Sequence, residues 1–128
     1  MKNAMNYLLL IVVLCISSCS NTFEKKDFKI YTGDFANDPI ELGLKMLDDS
    51  TVSGFSEHKG VKLNVIGKRY PSDKGYIYKL NEVGTNDFLG TYDCELDTSM
   101  NVLFGSWQQK KKENSTERMA VIFSLTAK

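Results

Sequence analysis

From Phe28 to the C-terminus apolar side chains recur at every second position, and that alternation constrains the fold more than any other feature. Ile40, Leu42, Leu44 and Met46 alternate with Glu41, Gly43 and Lys45; Val61, Leu63 and Val65 with Lys62 and Asn64; Tyr76, Tyr78 and Leu80 with Ile77 and Lys79. Phe88, Gly90, Tyr92, Cys94 and Leu96 form a further face, followed by Leu103, Gly105 and Trp107, then Val121, Phe123 and Leu125. Successive side chains of a strand point to opposite faces, so each set marks a strand with one face on a core. Turn formers separate the runs: Asn37-Asp38-Pro39, Asp48-Asp49-Ser50, Lys59-Gly60, Pro71 to Gly75, Gly84 to Asp87 and Asp97-Thr98-Ser99. The pattern predicts about eight strands, near residues 28–33, 39–47, 51–58, 61–69, 75–81, 88–96, 101–108 and 117–126. Short connections favour sequential antiparallel pairing, and eight strands can close on themselves, which removes free edges. The expected fold is all-β: an antiparallel up-and-down meander, closed or nearly closed into a small barrel over residues 28–128.

A segment of another kind precedes the alternation. Lys2 stands ahead of an unbroken apolar run, Tyr7 to Ile16, that ends in Ser17-Ser18-Cys19. A spanning helix needs about 20 apolar residues, so this run reads as the core of a signal peptide. Ile16-Ser17-Ser18-Cys19 resembles the bacterial lipobox, a branched apolar residue and two small ones before a cysteine. The resemblance implies removal of residues 1–18, a diacylglycerol on the Cys19 thiol and an acyl chain, typically palmitate, on the new amine. Two or three such chains anchor a protein stably, at about 0.8 kcal/mol per buried methylene. Cys15 reads as apolar filler, since Val13 and Leu14 are too bulky for a cleavage site. Residues 19–27 are mostly polar and form a tether. Ser20 rather than Asp after the cysteine leans, by analogy with enterobacterial sorting, towards the outer membrane over the inner.

Sixteen basic side chains balance sixteen acidic ones. That neutrality argues against nucleic acid as a partner, which demands a basic surface. Of the three cysteines, one leaves with the leader and one carries lipid, so Cys94 alone remains and no intramolecular disulfide is expected. Stability must then come from packing.

Ser53-Gly54-Phe55, a glycine at Gly67, Tyr78-Lys79-Leu80-Asn81-Glu82, Phe88-Leu89-Gly90, Phe104-Gly105-Ser106-Trp107 and Phe123-Ser124-Leu125 follow one another in this order. In this the chain resembles a group of small β-barrel lipoproteins abundant in Bacteroidetes-type bacteria. The resemblance covers about residues 28–126 and rests on glycine and aromatic punctuation. It implies the barrel and no particular activity.

Side chains that could carry chemistry are few. His58 is the chain's one histidine, and its neighbour Glu57 points to the opposite face of the strand. With too few partners for a zinc site it reads as a turn residue beside Lys59-Gly60, and no metal or cofactor is expected. Cys94 shares a face with Tyr92 and Leu96, where a thiol packs as a small hydrophobe and is not a nucleophile. Asp48 and Asp49 fall in a turn, and Asp93 and Glu95 on an outward face; neither pair suits a glycosidase. Gly105, two residues before Trp107, is expected to make room for the indole in a packed core; the alternative is Trp107 lining a ligand cavity with Tyr76, Tyr78 and Tyr92. Lys110, Lys111 and Lys112, with Arg118 beyond, form a basic hairpin tip, either a solvated loop that blocks edge pairing or a contact for headgroups, polysaccharide or an acidic protein. Asp49-Ser50-Thr51 also resembles the O-glycosylation pattern of Bacteroidetes.

The functional expectation is a non-enzymatic binding module, anchored to the membrane through Cys19, with an envelope protein as partner. The alternatives are a calycin-like carrier of a small hydrophobic ligand and an inhibitor or immunity protein against a lytic enzyme or toxin. Tyr92-Asp93-Cys94 resembles the Tyr-x-Cys start of the membrane-bound lysozyme inhibitors, whose second cysteine this chain lacks. A large apolar cavity would favour the carrier.

Overall fold

The computed structural model describes residues 27–84, 89–110 and 119–128. Eight strands follow one another: β1 (Lys29–Phe35), β2 (Asp38–Met46), β3 (Thr51–His58), β4 (Val61–Pro71), β5 (Gly75–Val83), β6 (Gly90–Asp97), β7 (Val102–Gln109) and β8 (Ala120–Ala127). Each pairs antiparallel with the next and β1 pairs with β8, giving a closed barrel in chain order. The expected meander is thus the fold. The leader 1–18, Cys15, Cys19, the tether up to residue 26, Phe88, Lys111, Lys112 and Arg118 lie outside the described residues.

Strand ends differ from the alternation where turn geometry decides them. Turn chemistry alone points to Asn37-Asp38-Pro39 for the first turn, but Ala36 and Asn37 take left-handed φ of 51° and 70°. Two such residues make the tight hairpin turn whose twist matches a β-ladder. The ladder therefore runs on through Asp34↔Pro39 to Phe35↔Asp38. Lys59 and Gly60, at φ 53° and 76°, repeat the device between His58 and Val61. At the β6–β7 turn the Asp97 carboxylate accepts from the Ser99 hydroxyl (2.6 Å) and from the Ser99 and Met100 amides (3.0 and 3.2 Å). These bonds, the Ser99 hydroxyl's first, hold its pKa below the ordinary carboxylate range.

The inward faces are those the alternation marks. Leu42, Val52, Leu103 and Leu125 are fully buried, and Leu80, Val65, Tyr31, Tyr78, Cys94 and Phe123 pack with them. Truncating any of the four wholly buried leucines, Leu42, Leu80, Leu103 and Leu125, to alanine should cost about 2–5 kcal/mol. One large ring is buried outside the barrel. Phe55 faces outward in β3, lies across Gly43, and is capped edge-on by Phe28 at 5.4 Å and by the Lys62 ammonium at 4.6 Å. A Cβ on Gly43 would stand 2.3 Å from the Phe55 ring, so glycine leaves the space the ring fills.

Antiparallel order sorts the connections to two ends. The β1–β2, β3–β4, β5–β6 and β7–β8 turns share one end; the start of β1 and the other three turns share the opposite end. At that opposite end Tyr76 is covered by the Arg69 guanidinium, 3.8 Å from its ring centre.

Candidate functional site

One further step along Tyr76, Tyr78 and Leu80 places Glu82 inside the barrel, opposite Val65 and 4% exposed. Burying a carboxylate is costly unless its oxygens are met by donors. Here four donors meet it: Oε1 accepts from the Gly90 amide (3.0 Å) and the Trp107 indole N–H (2.8 Å), and Oε2 from the Ser56 hydroxyl (2.8 Å) and the Tyr92 hydroxyl (3.3 Å). An ionised carboxylate has about four acceptor positions, so its capacity is filled. The donors come from β3, β6 and β7, and Glu82 ties them to β5 across the interior.

Each donor is placed by its own surroundings. The indole lies against Gly90, where a Cβ would stand 2.2–2.5 Å from three ring atoms. That corrects the expectation for Gly105, whose added Cβ would meet Asp93 and Cys94 instead, at 2.3 and 2.5 Å. The difference is one of diagonal packing: Trp107 pairs with Tyr92, and its ring leans over the next inward residue of β6, which is Gly90. Phe35 meets the indole edge-on at 5.5 Å, and Phe123 meets Tyr92 at 5.8 Å. Burial first, and the Glu82 charge second, push the Tyr92 hydroxyl's pKa far up, so it keeps its proton and stays a donor.

Beside this cluster the described side chains leave part of the interior open. A cavity of about 350 Å³ is lined by Glu82, Ser56, Tyr92 and Trp107, by the apolar Phe35, Ile40 and Leu63, and towards the turns by His58, Lys59, Val61 and Met119. Small-molecule sites occupy roughly 300–1,000 Å³ with mainly apolar walls and a few convergent polar groups. Lys59 is bound to Asp38 at 3.2 Å on the exposed rim. His58 is the last residue of β3, half-buried, with Nε2 3.3 Å from the Phe35 carbonyl oxygen and its ring 5.0 Å from that phenyl.

Of the four aromatics that the cavity alternative names, Trp107 and Tyr92 line the space and Tyr76 and Tyr78 do not. Tyr78 is buried in the packed middle against Cys94, and Tyr76 sits at the far end beneath Arg69. Lys110 is exposed and its amide donates to the Leu89 carbonyl at 2.8 Å. Cys94 is buried, is absent from the cavity wall, and has its thiol pushed up to about 12 by burial first and by the Asp93 charge second. Asp93 itself holds Lys79 at 2.6 Å on the outer wall. Among the described residues no three His, Cys, Asp or Glu side chains gather in a group suited to a metal.

Glu82 and Ser56 are site residues that no motif in the sequence marks as such. Their signal was positional: both extend an inward period-two series, Val52-Gly54-Ser56 and Tyr76-Tyr78-Leu80-Glu82, by one polar step. Compared with family models, curated proteins and solved structures, the chain matches none.

Proposed function

We propose that the protein is a non-enzymatic binding module of the cell envelope, held by lipid on Cys19, that takes a small, mainly apolar ligand into the turn end of its barrel. The observation that carries this reading is the cavity of about 350 Å³, with Phe35, Ile40 and Leu63 as apolar wall and Glu82, Tyr92 and Trp107 as polar floor. It favours the carrier over a protein partner as the primary role. The direction of the chain agrees with it. Strand β1 starts at the end away from the cavity, so an anchor ahead of β1 leaves the mouth on the far side of the barrel from its attachment. An outer-membrane location follows from Ser20 by the sorting analogy.

A protein partner remains the second reading, favoured by the apolar rim. Val61 and Met119 are 46% and 53% exposed where the cavity opens, and exposed apolar surface around a polar floor also suits docking. One experiment separates the two. The full chain is isolated from its host's envelope and examined by native mass spectrometry. A small co-purifying mass, lost from a Leu63→Phe variant, supports the ligand reading; a stoichiometric protein with an empty cavity replaces it with the second.

A further inference from the structure

The charge of the floor says more about the ligand than its shape does. Oε1 of Glu82 faces two groups that can only donate, the Gly90 amide and the Trp107 indole N–H. Oε2 faces two hydroxyls, on Ser56 and Tyr92, which can donate or accept. A neutral glutamine amide would satisfy the same cluster, its oxygen on the first pair and its NH₂ on the second. The wiring of the barrel therefore does not require a negative charge at this position, yet the chain places one there.

That charge has no cationic partner among the described residues. Lys59 is held by Asp38 on the rim, Lys79 by Asp93 on the outer wall, and Arg69 stacks on Tyr76 at the other end of the barrel. His58 Nε2 lies against the Phe35 carbonyl oxygen. A carboxylate without a counter-ion, on a floor beside Ser56, Phe35, Tyr92, Trp107 and aliphatic side chains, with His58 and the Asp38-bound Lys59 out towards the turns, repels an acidic headgroup and attracts a cation, and aromatic faces attract the same cation.

Resting on the ligand-binding reading above, we infer that the cavity takes a small organic cation, a protonated amine on an apolar body, with its ammonium drawn by the Glu82 charge onto the Ser56 and Tyr92 hydroxyl oxygens, which can still accept, and its body between Phe35, Ile40 and Leu63. The body is limited by about 350 Å³, which accommodates a six-carbon chain with its head. A carboxylate-headed ligand of the same length is excluded from the floor by charge.

The test uses Trp107 as its reporter, since it is the only tryptophan of the chain and bonds directly to Glu82. The full chain in phosphatidylcholine vesicles is titrated at neutral pH with n-hexylammonium, n-hexanol and n-hexanoate, and tryptophan emission is followed to saturation. The ammonium is expected to bind at least tenfold more tightly than hexanol, and hexanoate more weakly than either. In Glu82→Gln the ammonium affinity falls at least tenfold, to that of hexanol. Equal binding of ammonium and hexanol to the unmodified chain overturns the cation assignment while leaving an apolar site; it is also the result expected if the chain's own basic residues neutralise Glu82. An ammonium preference that survives in Glu82→Gln overturns the role of Glu82. Absence of a saturable response to any probe overturns the ligand-binding reading itself. Should Glu82→Gln fail to fold, the three-probe comparison on the unmodified chain decides the matter.

Discussion

Replacing Glu82 by leucine and by glutamine separates two things the buried carboxylate does. Leucine deletes both oxygens. The Gly90 amide and the Trp107 indole N–H, bonded at 3.0 and 2.8 Å, are then left without an acceptor, and neither can turn into one. A buried donor without a partner costs about 1–3 kcal/mol, so the pair amounts to about 2–6 kcal/mol. The Ser56 and Tyr92 hydroxyls, each able to donate or accept, can pair with one another and add less. Glutamine keeps an acceptor for the two fixed donors and offers its NH₂ to the two hydroxyls. It loses the strengthening that charge gives, about 1 kcal/mol per bond, but no longer buries a charge, so these effects offset within about 1 kcal/mol. Leucine should therefore be less stable than glutamine by about 4 kcal/mol, a large part of the total of about 5–15 kcal/mol for a domain. Urea unfolding followed by far-ultraviolet circular dichroism measures both variants without relying on the indole. Equal destabilisation by leucine and glutamine would refute the reasoning, because it would mean that charge and not the orphaned donors governs the cluster.

Four further outcomes follow from the same geometry. Gly90→Ala puts a methyl 2.2–2.5 Å from the Trp107 ring, which cannot retreat without leaving Glu82; overpacking of about 1–3 kcal/mol, at about 4–8 °C per kcal/mol, should lower Tm visibly in a thermal melt. Cys94→Ala should flatten the alkaline limb of stability. Below the ordinary thiol value of 9.0 the proton is on in both states; between 9.0 and about 12 only the unfolded thiol loses it, so the native chain loses up to about 1.4 kcal/mol per pH unit there, and parallel urea-derived profiles for the two proteins would sink this assignment. Ala36→Gly relieves a left-handed residue at φ 51°, a strain of about 1–2 kcal/mol less about 0.5–1 kcal/mol of added chain entropy, and should raise Tm by a few degrees. Leu63→Phe fills cavity space beside Ser56, its partner in the β3–β4 ladder, without deleting any Glu82 donor; burying about 40 Å² more apolar surface adds about 1 kcal/mol of stability, while hexanol binding should fall at least tenfold, and unaltered binding would move the ligand elsewhere.

The barrel was legible because its interior is written in apolar residues at period two. Leu42, Leu80, Leu103 and Leu125 each sit where the alternation puts them, and short turns leave no order of strands other than the chain's own. The site was less legible for the same reason. Apolar patterning ends where an interior turns polar, so the fifth strand is expected to stop at Asn81 when its inward series runs one step further, to Glu82. Gly90 and Gly105 each stand two residues from an aromatic on their own strands; which of them receives the indole depends on how Trp107 leans across the β6–β7 ladder, and strand sequence does not encode that diagonal. The cavity is less legible still, being a difference between the volume enclosed by the wall and the volume of the side chains within it.

The two halves of the interior answer to different demands. Eight strands enclose a space that side chains can fill, and at the end where β1 begins they do so: Tyr31, Leu44, Leu96 and Leu103 meet in the core, with Tyr76 beneath Arg69. At the other end the inward positions hold a serine at 56 and a glycine at 90, with a carboxylate at 82. Small inward residues there are what leave about 350 Å³ unfilled. Stability alone would favour larger apolar side chains at those positions, since an unfilled core lowers it by the contacts its lining forgoes. A chain that fills one end with leucine and tyrosine has no general difficulty in filling a barrel. The open end is the space on which the ligand proposal rests, and the four bonds on Glu82 tie β3, β5, β6 and β7 to one another beside it.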